Sequence, residues 1–291
     1  MHADVRPPSC VLDAFTDAAI AACDDLDGVK DDIIAYPGLC DFQASSLVGK
    51  IVNCTDPSGS ITITDKMAEL VGAMWAGPKF QNGEFLWYGY HYDSDLTGVL
   101  TTTCNTTDDC TVTAFSASSD WYQTFLAKNS SWSAITHNVT ADEFDRLSRI
   151  SIDEYTSSIG TDNPDLTNLK ARGTKLLTWH GMQDPLIPTN GTIDYYERVM
   201  AKDPNVTDYY RFFLAPGVSH CGGGAGFDPS DYLFAALRNW VENGTAPETI
   251  SGTGTAVGNS SATRTVNLCL YPKVLTYTGT DPDDASSFSC L

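Results

Sequence analysis

The chain has 291 residues, 42% of them apolar, and a formal net charge of −20. Six tryptophans, thirteen tyrosines and twelve phenylalanines exclude a disordered chain, and the length suffices for one large domain or two modest ones. The negative charge argues against nucleic acid and anionic membranes as partners because both would repel it, and no run of 18 apolar residues could span a bilayer.

Cysteines and glycosylation sequons place the protein outside the cytosol. Nine cysteines lie at irregular spacings without the paired CxxC motifs of zinc sites, which predicts disulfides and at least one cysteine that is free or bonded to another chain. No apolar segment follows Met1–Asp4, so we expect any secretion signal on a segment outside this sequence. We predict a secreted, extracellular glycoprotein, with Asn-x-Ser/Thr acceptors at Asn53, Asn105, Asn129, Asn138, Asn190, Asn205, Asn243 and Asn259.

The first part of the chain, residues 1–165, is turn-rich and cysteine-rich. Helical spacing of apolar residues predicts helices over 9–23 and 65–75. An aromatic run follows at 85–92. Two interpretations stay open for it: the rings pack a core, or some of them, Trp87 and Tyr90 among them, line a pocket for a flat aromatic ligand.

From residue 166 to 291 the pattern becomes strand, helix, strand, helix. Apolar runs predict strands over 175–180 and 209–214, with a helix over 189–201 between them and a second helix from about 230 to Gly244. Alternating strands and helices indicate a parallel sheet with active-site loops at the carboxyl ends of its strands. The Gly/Thr/Ser-rich tail from Thr245 is expected to loop over the surface.

Asp184 and His220 form the strongest catalytic constellation. Each follows a predicted strand, and one helix separates them, which is the order of the acid and the histidine in an α/β-hydrolase triad. In such a triad the carboxylate fixes the imidazole tautomer and the imidazole accepts a serine proton. The competing histidine, His180, is assigned a local structural role at its strand end.

The nucleophile of such a triad is missing from the sequence. No Gly-x-Ser-x-Gly motif occurs, so the chain is either an inactive hydrolase or the partner of a serine on another portion. Cys221 directly follows His220 and could be bonded to a cysteine beside that serine, which would clamp the two catalytic residues together.

A dense acidic segment marks a candidate metal loop. Five carboxylates fall between Asp24 and Asp32, where repulsion is costly without a cation, and hard oxygen ligands suit calcium. The segment lacks the register and closing Glu of an EF-hand. Composition alone leaves a calcium loop and a solvated acidic turn equally open.

Three segments resemble the tannase/feruloyl-esterase family. They are the acidic loop at 21–34 with Cys40 following, Trp179–Pro188 around Asp184, and Pro216–Gly224 around His220. The resemblance covers about residues 10–250. It implies the C-terminal part of an α/β-hydrolase catalytic domain, residues 166–291, with a large inserted lid domain, residues 1–165, that carries the calcium loop.

The resemblance also implies particular ligands and bonds. Structural calcium would be held by the side chains of Asp24, Asp27 and Asp31 and the carbonyls of Val29 and Ile33, within a loop closed by Cys23–Cys40. Cys221 would bond to a cysteine next to the serine of a partner chain, because some fungal tannases are cut into two disulfide-linked subunits. Short spacing makes Cys104–Cys110 and Cys269–Cys290 plausible pairs, and the pairing of Cys10 and Cys54 stays open.

The leading functional hypothesis is a serine esterase that releases gallate from tannins as a disulfide-linked heterodimer. Feruloyl ester hydrolysis on plant cell walls is the alternative within the class. A hypothesis from another class is a non-catalytic, calcium-stabilised glycoprotein that binds phenolics or carbohydrate, but it gives Asp184 and His220 no role.

Overall fold

The structure is a computed structural model that describes residues 5–107, 109–133 and 139–291. The chain separates into two compact units, and each is discontinuous in sequence. Unit 1 comprises residues 1–15, 43–89 and 96–163, and unit 2 comprises residues 16–42, 90–95 and 164–291. Helix α1 (Ser9–Cys23) begins in unit 1 and ends in unit 2.

Unit 1 combines helices with two short hairpins. Its helices are α2 (Asp65–Ala76), α3 (Ser116–Trp121) and α4 (Ala141–Ile159), and its strands are β1 (Ile51–Thr55), β2 (Ser58–Thr62), β3 (Thr101–Thr106) and β4 (Asp109–Thr113). The predicted helices α1 and α2 are confirmed, and the Thr64 side chain caps α2 by accepting from the Met67 N–H. Helix α4 was not predicted, and its Thr140 side chain caps it by accepting from the Glu143 N–H.

Unit 2 contains the predicted β-α-β arrangement. Its elements are α5 (Thr167–Ala171), β5 (Leu176–Gly181), α6 (Thr189–Lys202), β6 (Tyr210–Ala215), α7 (Ser230–Asn243), β7 (Thr249–Ala256), β8 (Asn259–Cys269), β9 (Leu275–Tyr277) and β10 (Phe288–Cys290). Strands β5 and β6 are parallel, with Gly181 opposite Ala215 at their carboxyl ends. The loops that follow the two strands therefore start side by side.

The acidic loop belongs to unit 2, whereas the sequence predicts it in a contiguous domain over 1–165. Ile33 and Ala35, which follow the acidic residues, are buried in one hydrophobic core with Phe213 of β6. Arg264 of β8, almost fully buried, forms an ion pair with Asp31 of the loop. Burial of these apolar groups and of this charge pair connects residues 16–42 to the C-terminal part of the chain.

The C-terminal tail is a folded hairpin, so the expected surface loop is wrong. Strands β7 and β8 pair in antiparallel register from Thr249↔Cys269 onward, and alternate residues of β7 are buried. Ile250, Val266 and Leu268 enter the core of unit 2. The high content of Gly and Thr hides a period-two pattern whose buried side packs against the core.

Eight of the nine cysteines are paired. Disulfides join Cys23 to Cys40, Cys104 to Cys110 and Cys269 to Cys290, as the sequence suggests, and also join Cys10 to Cys54. Cys221 is free and exposed. No helix in the described part of the chain combines the length and apolar character needed to cross a membrane.

Candidate active site

Asp184 and His220 meet where the loops after β5 and β6 lie side by side. Oδ2 of Asp184 is 2.9 Å from Nδ1 of His220, a hydrogen-bond distance. The Asp184 side chain is 5% exposed, whereas that of His220 is 40% exposed. One nitrogen of the His220 imidazole thus bonds to a buried carboxylate, while the side chain is partly exposed to solvent.

The glycine that ends β5 allows this close approach. A Cβ at Gly181 would lie 2.3 Å from the Val218 carbonyl oxygen and 2.6 Å from that of Ser219, so a side chain there would displace the loop that carries His220. Gly217, with φ of +68°, supplies the left-handed turn that starts this loop. The two glycines explain why both motifs contain Gly beside the strand end.

The carboxylate of Asp184 is held as an ion by backbone and imidazole donors. Its Oδ1 accepts from the backbone N–H groups of Leu186 at 2.8 Å and Ile187 at 2.9 Å. Burial acts to raise the pKa of Asp184, but the Ile187 N–H, His220 and the Leu186 N–H together lower that pKa below its ordinary value. An ionised Asp184 requires His220 to donate from Nδ1, which leaves Nε2 of the neutral ring unprotonated and able to accept a proton.

His180 contacts the same carboxylate oxygen. Its Nε2 lies 3.2 Å from Asp184 Oδ2 and 3.1 Å from the Ile187 carbonyl oxygen, and its Nδ1 lies 2.7 Å from Thr192 Oγ1. The sequence predicts only a local structural role for His180, and a role for Thr192 was not predicted. Spacing of four residues between His180 and Asp184 was the available signal, but only the turn between them decides that the two side chains meet.

A buried polar cluster lies beside the acid loop and was also missed. Gln183 Nε2 donates to Asp93 Oδ2 at 3.1 Å, and the Ile34 N–H donates to the same oxygen at 3.4 Å. Burial raises the pKa of Asp93, and burial lowers the pKa of His91, which lies 3.5 Å from Asn190 through its Nε2. Asp93 thus connects the end of the acidic loop to the residue that precedes Asp184.

The two aromatic residues considered for substrate binding fall in different units. Tyr90, in unit 2, is half-buried, and burial followed by the charge of Asp184 raises its pKa. Trp87, in unit 1, is 48% exposed with its ring edge against Tyr88. The structure therefore places Tyr90 within electrostatic reach of Asp184.

The acidic loop is ordered by its own carboxylates. Asp24 Oδ1 accepts from the backbone N–H groups of Asp31 at 3.0 Å and Ile33 at 3.3 Å, and Asp27 Oδ1 accepts from Val29 at 3.0 Å. Burial, then repulsion from Asp31 and Asp24, raises the pKa of Asp27 to about 6. Carboxylate and carbonyl oxygens are the right chemistry for a hard cation. In the described ranges, however, no group of three or more His, Cys, Asp or Glu side chains is placed so that it could hold a metal ion.

Most predicted glycosylation sites are on the surface. The exposed acceptors are Asn53, Asn105, Asn129, Asn205, Asn243 and Asn259. Asn190 differs because it is half-buried and its side chain lies near His91. Asn138 lies outside the described residues.

Comparison with known proteins agrees with this geometry. A family model described as tannase and feruloyl esterase matches residues 1–291. A relative from Arthroderma benhamiae named "Probable feruloyl esterase" is 40% identical over 98% of this chain and 53% of its own length. The chain thus spans about half the length of the curated relatives it matches.

Solved structures show the same similarity. A tannin acyl hydrolase from Aspergillus niger superposes with a TM-score of 0.85 at 27% identity, over 99% of this chain and 54% of that one. Feruloyl esterase B from Aspergillus oryzae gives a TM-score of 0.75 at 27% identity, over 97% of this chain and 56% of that one. The predicted α/β-hydrolase fold class is confirmed, and the chain belongs to the tannase and feruloyl esterase family.

Proposed function

We propose that this chain is the C-terminal part of a secreted serine esterase that hydrolyses galloyl esters of the tannin type. The observation that carries the proposal is the 2.9 Å contact between buried Asp184 and half-exposed His220, on adjacent strand-end loops of a chain in this family. Four disulfides and the exposed sequons support an extracellular location.

The catalytic roles follow from the state of the two side chains. Nε2 of His220 accepts the proton of the attacking serine hydroxyl, and ionised Asp184 stabilises the resulting imidazolium. His220 then donates that proton to the leaving alcohol, the acyl group stays on the serine, and a water activated by His220 releases the acid. The oxyanion donors are expected on the portion that carries the serine.

The serine is proposed on a disulfide-linked partner chain. Support comes from the missing Gly-x-Ser-x-Gly motif, from the free, exposed thiol of Cys221 beside His220, and from coverage of only about half of the relatives. Strand β5 pairs only with β6 among the described residues, and a two-stranded parallel sheet favours addition of further strands. Peptide mapping of the non-reduced protein tests this: a Cys221 peptide linked to a second chain with serine beside its cysteine supports it, and a free thiol contradicts it.

Hydrolysis rates on two model esters test which acyl group the enzyme prefers. The similarity to a tannin acyl hydrolase supports galloyl esters, whereas the relative that is 40% identical is named a feruloyl esterase, which supports feruloyl esters as the second candidate. The native protein should be assayed on methyl gallate and methyl ferulate, with kcat/KM measured for both. A higher value for the gallate supports our proposal, and a higher value for the ferulate supports the alternative.

Catalysis itself is tested by labelling with a fluorophosphonate. We expect the serine-bearing chain of the native protein to be labelled, and His220→Ala to abolish the labelling because the serine loses its base. An unlabelled native protein without esterase activity would favour the non-catalytic, ligand-binding glycoprotein instead.

We also propose that the acidic loop binds a structural calcium ion once the side chains of Asp24, Asp27 and Asp31 turn toward a common point, with the carbonyls of Val29 and Ile33 as further ligands. A cation would relieve the repulsion among the three carboxylates. Adding calcium should raise the melting temperature of protein that a chelator has stripped of metal, and Asp24→Asn should remove that increase. The exposed neighbour Asp25 is the matched control, since Asp25→Asn should keep the full increase. No calcium-dependent shift would contradict the site.

A further inference from the structure

We propose that His180 is a positioning residue, which holds the carboxylate of Asp184 in place for His220, and that Thr192 selects the tautomer of His180 that does so. The proposal deepens the proposed function and rests on it, because a positioned acid matters for turnover only in an enzyme. It extends the pair of Asp184 and His220 to a chain of four hydrogen-bonded side chains.

The tautomer follows from the partners of the two ring nitrogens. Nε2 of His180 faces two acceptors, the Asp184 carboxylate at 3.2 Å and the Ile187 carbonyl oxygen at 3.1 Å, so it carries the proton. Nδ1 is 2.7 Å from the Thr192 hydroxyl, which donates to it in the neutral ring. Because the His180 side chain is only 10% exposed, water competes little for these bonds.

The consequence for Asp184 is that all four of its acceptor directions are used. Oδ1 accepts two backbone N–H groups, and Oδ2 accepts one imidazole N–H from His180 and one from His220. The same His180 N–H also reaches the Ile187 carbonyl, so it closes the turn that carries Asp184. Without His180, Oδ2 would be held by His220 alone, and the carboxylate could rotate so that Oδ2 no longer faces Nδ1 of His220.

A kinetic comparison of two substitutions tests the proposal in the native protein with all its chains. His180→Leu removes the donor, and His180→Gln keeps an amide donor near the position of Nε2. We expect His180→Leu to lower kcat by about 10- to 100-fold with KM changed by less than about twofold, since a misplaced acid affects the transition state and not substrate binding. His180→Gln should recover most of the lost kcat.

A spectroscopic measurement tests the same chain of bonds without substrate. With ¹⁵N-labelled histidine, we expect the Nε2 of His180 to show the shift of a protonated nitrogen and the Nδ1 that of an unprotonated one. Thr192→Val removes the selecting hydroxyl and should move both shifts toward a tautomer mixture. Two variants serve as controls: Asn190→Gln removes the same glycosylation sequon as Thr192→Val but keeps the Thr192 hydroxyl, and Thr178→Val removes a hydroxyl of unit 2 that bonds to Tyr210.

The outcomes separate the two proposals. Equal kcat for His180→Leu and the parent, no recovery by His180→Gln, or a proton on Nδ1 of His180 would overturn the positioning role. If the unsubstituted protein has no esterase activity, the proposed function fails, and the nitrogen shifts and the response to Thr192→Val still decide whether His180 is arranged as proposed. If His180→Leu does not fold, the nitrogen shifts of the parent protein and their response to Thr192→Val decide the proposal.

Discussion

Replacing Asp184 with Asn tests the proposed role of the acid most directly. The amide oxygen can keep the two backbone bonds from Leu186 and Ile187, and this places the amide NH₂ where Oδ2 faces His180 and His220. A donor at that position forces His220 to accept at Nδ1 and to carry its proton on Nε2. The ring then cannot accept a serine proton.

We expect Asp184→Asn to lower kcat/KM by about 1,000- to 10,000-fold, or about 4–5.5 kcal/mol of transition-state stabilisation, with KM little changed. Initial rates on the preferred ester, with active serine counted by fluorophosphonate titration, measure the loss. Asp194→Asn is the matched control, because Asp194 lies on α6 and pairs with Arg198 at the surface. A loss below about tenfold for a folded Asp184→Asn protein would refute the triad assignment.

Three further predictions concern stability, pH and modification. In the calcium-free protein, Arg264→Met should lower the free energy of unfolding by about 3–5 kcal/mol, because it leaves the buried carboxylate of Asp31 without its partner. Exposed Arg146→Met should change that free energy by less than about 0.5 kcal/mol, and similar values for both variants would contradict the prediction. The pKa of Asp184 is lowered in the folded state, so its ionisation contributes stability that is fully present above the unfolded pKa of about 4 and is lost as the pH falls through the folded pKa. The difference in unfolding free energy between the parent and Asp184→Asn should therefore shrink only below about pH 4. A difference that already shrinks near neutral pH would refute this prediction. Glycopeptide mass spectrometry should find lower occupancy at half-buried Asn190 than at exposed sequons, and equal occupancy would contradict the packing of its side chain.

Local patterns in the sequence were enough for several elements. Apolar spacing predicts α1, α2 and α6 and the two parallel strands, because helical and extended periods follow from backbone geometry alone. The same patterns misread the tail, where Gly and Thr mask the alternation of β7 and β8, and missed α4, whose apolar residues are sparse.

The sequence alone determined the fold class, the tendency of the cysteines to form disulfides, and the candidate acid and histidine, because each depends on residue type and order along the chain. Only the tertiary structure decided that His180 shares the carboxylate of Asp184, that Asp93 reaches Gln183 from 90 residues away, and that residues 16–42 belong with the C-terminal part. These relations depend on which side chains the packed core brings within hydrogen-bond distance. The Asp93 contact and the grouping of residues 16–42 depend on remote segments, which no local period encodes, and the His180 contact depends on the conformation of the turn between His180 and Asp184.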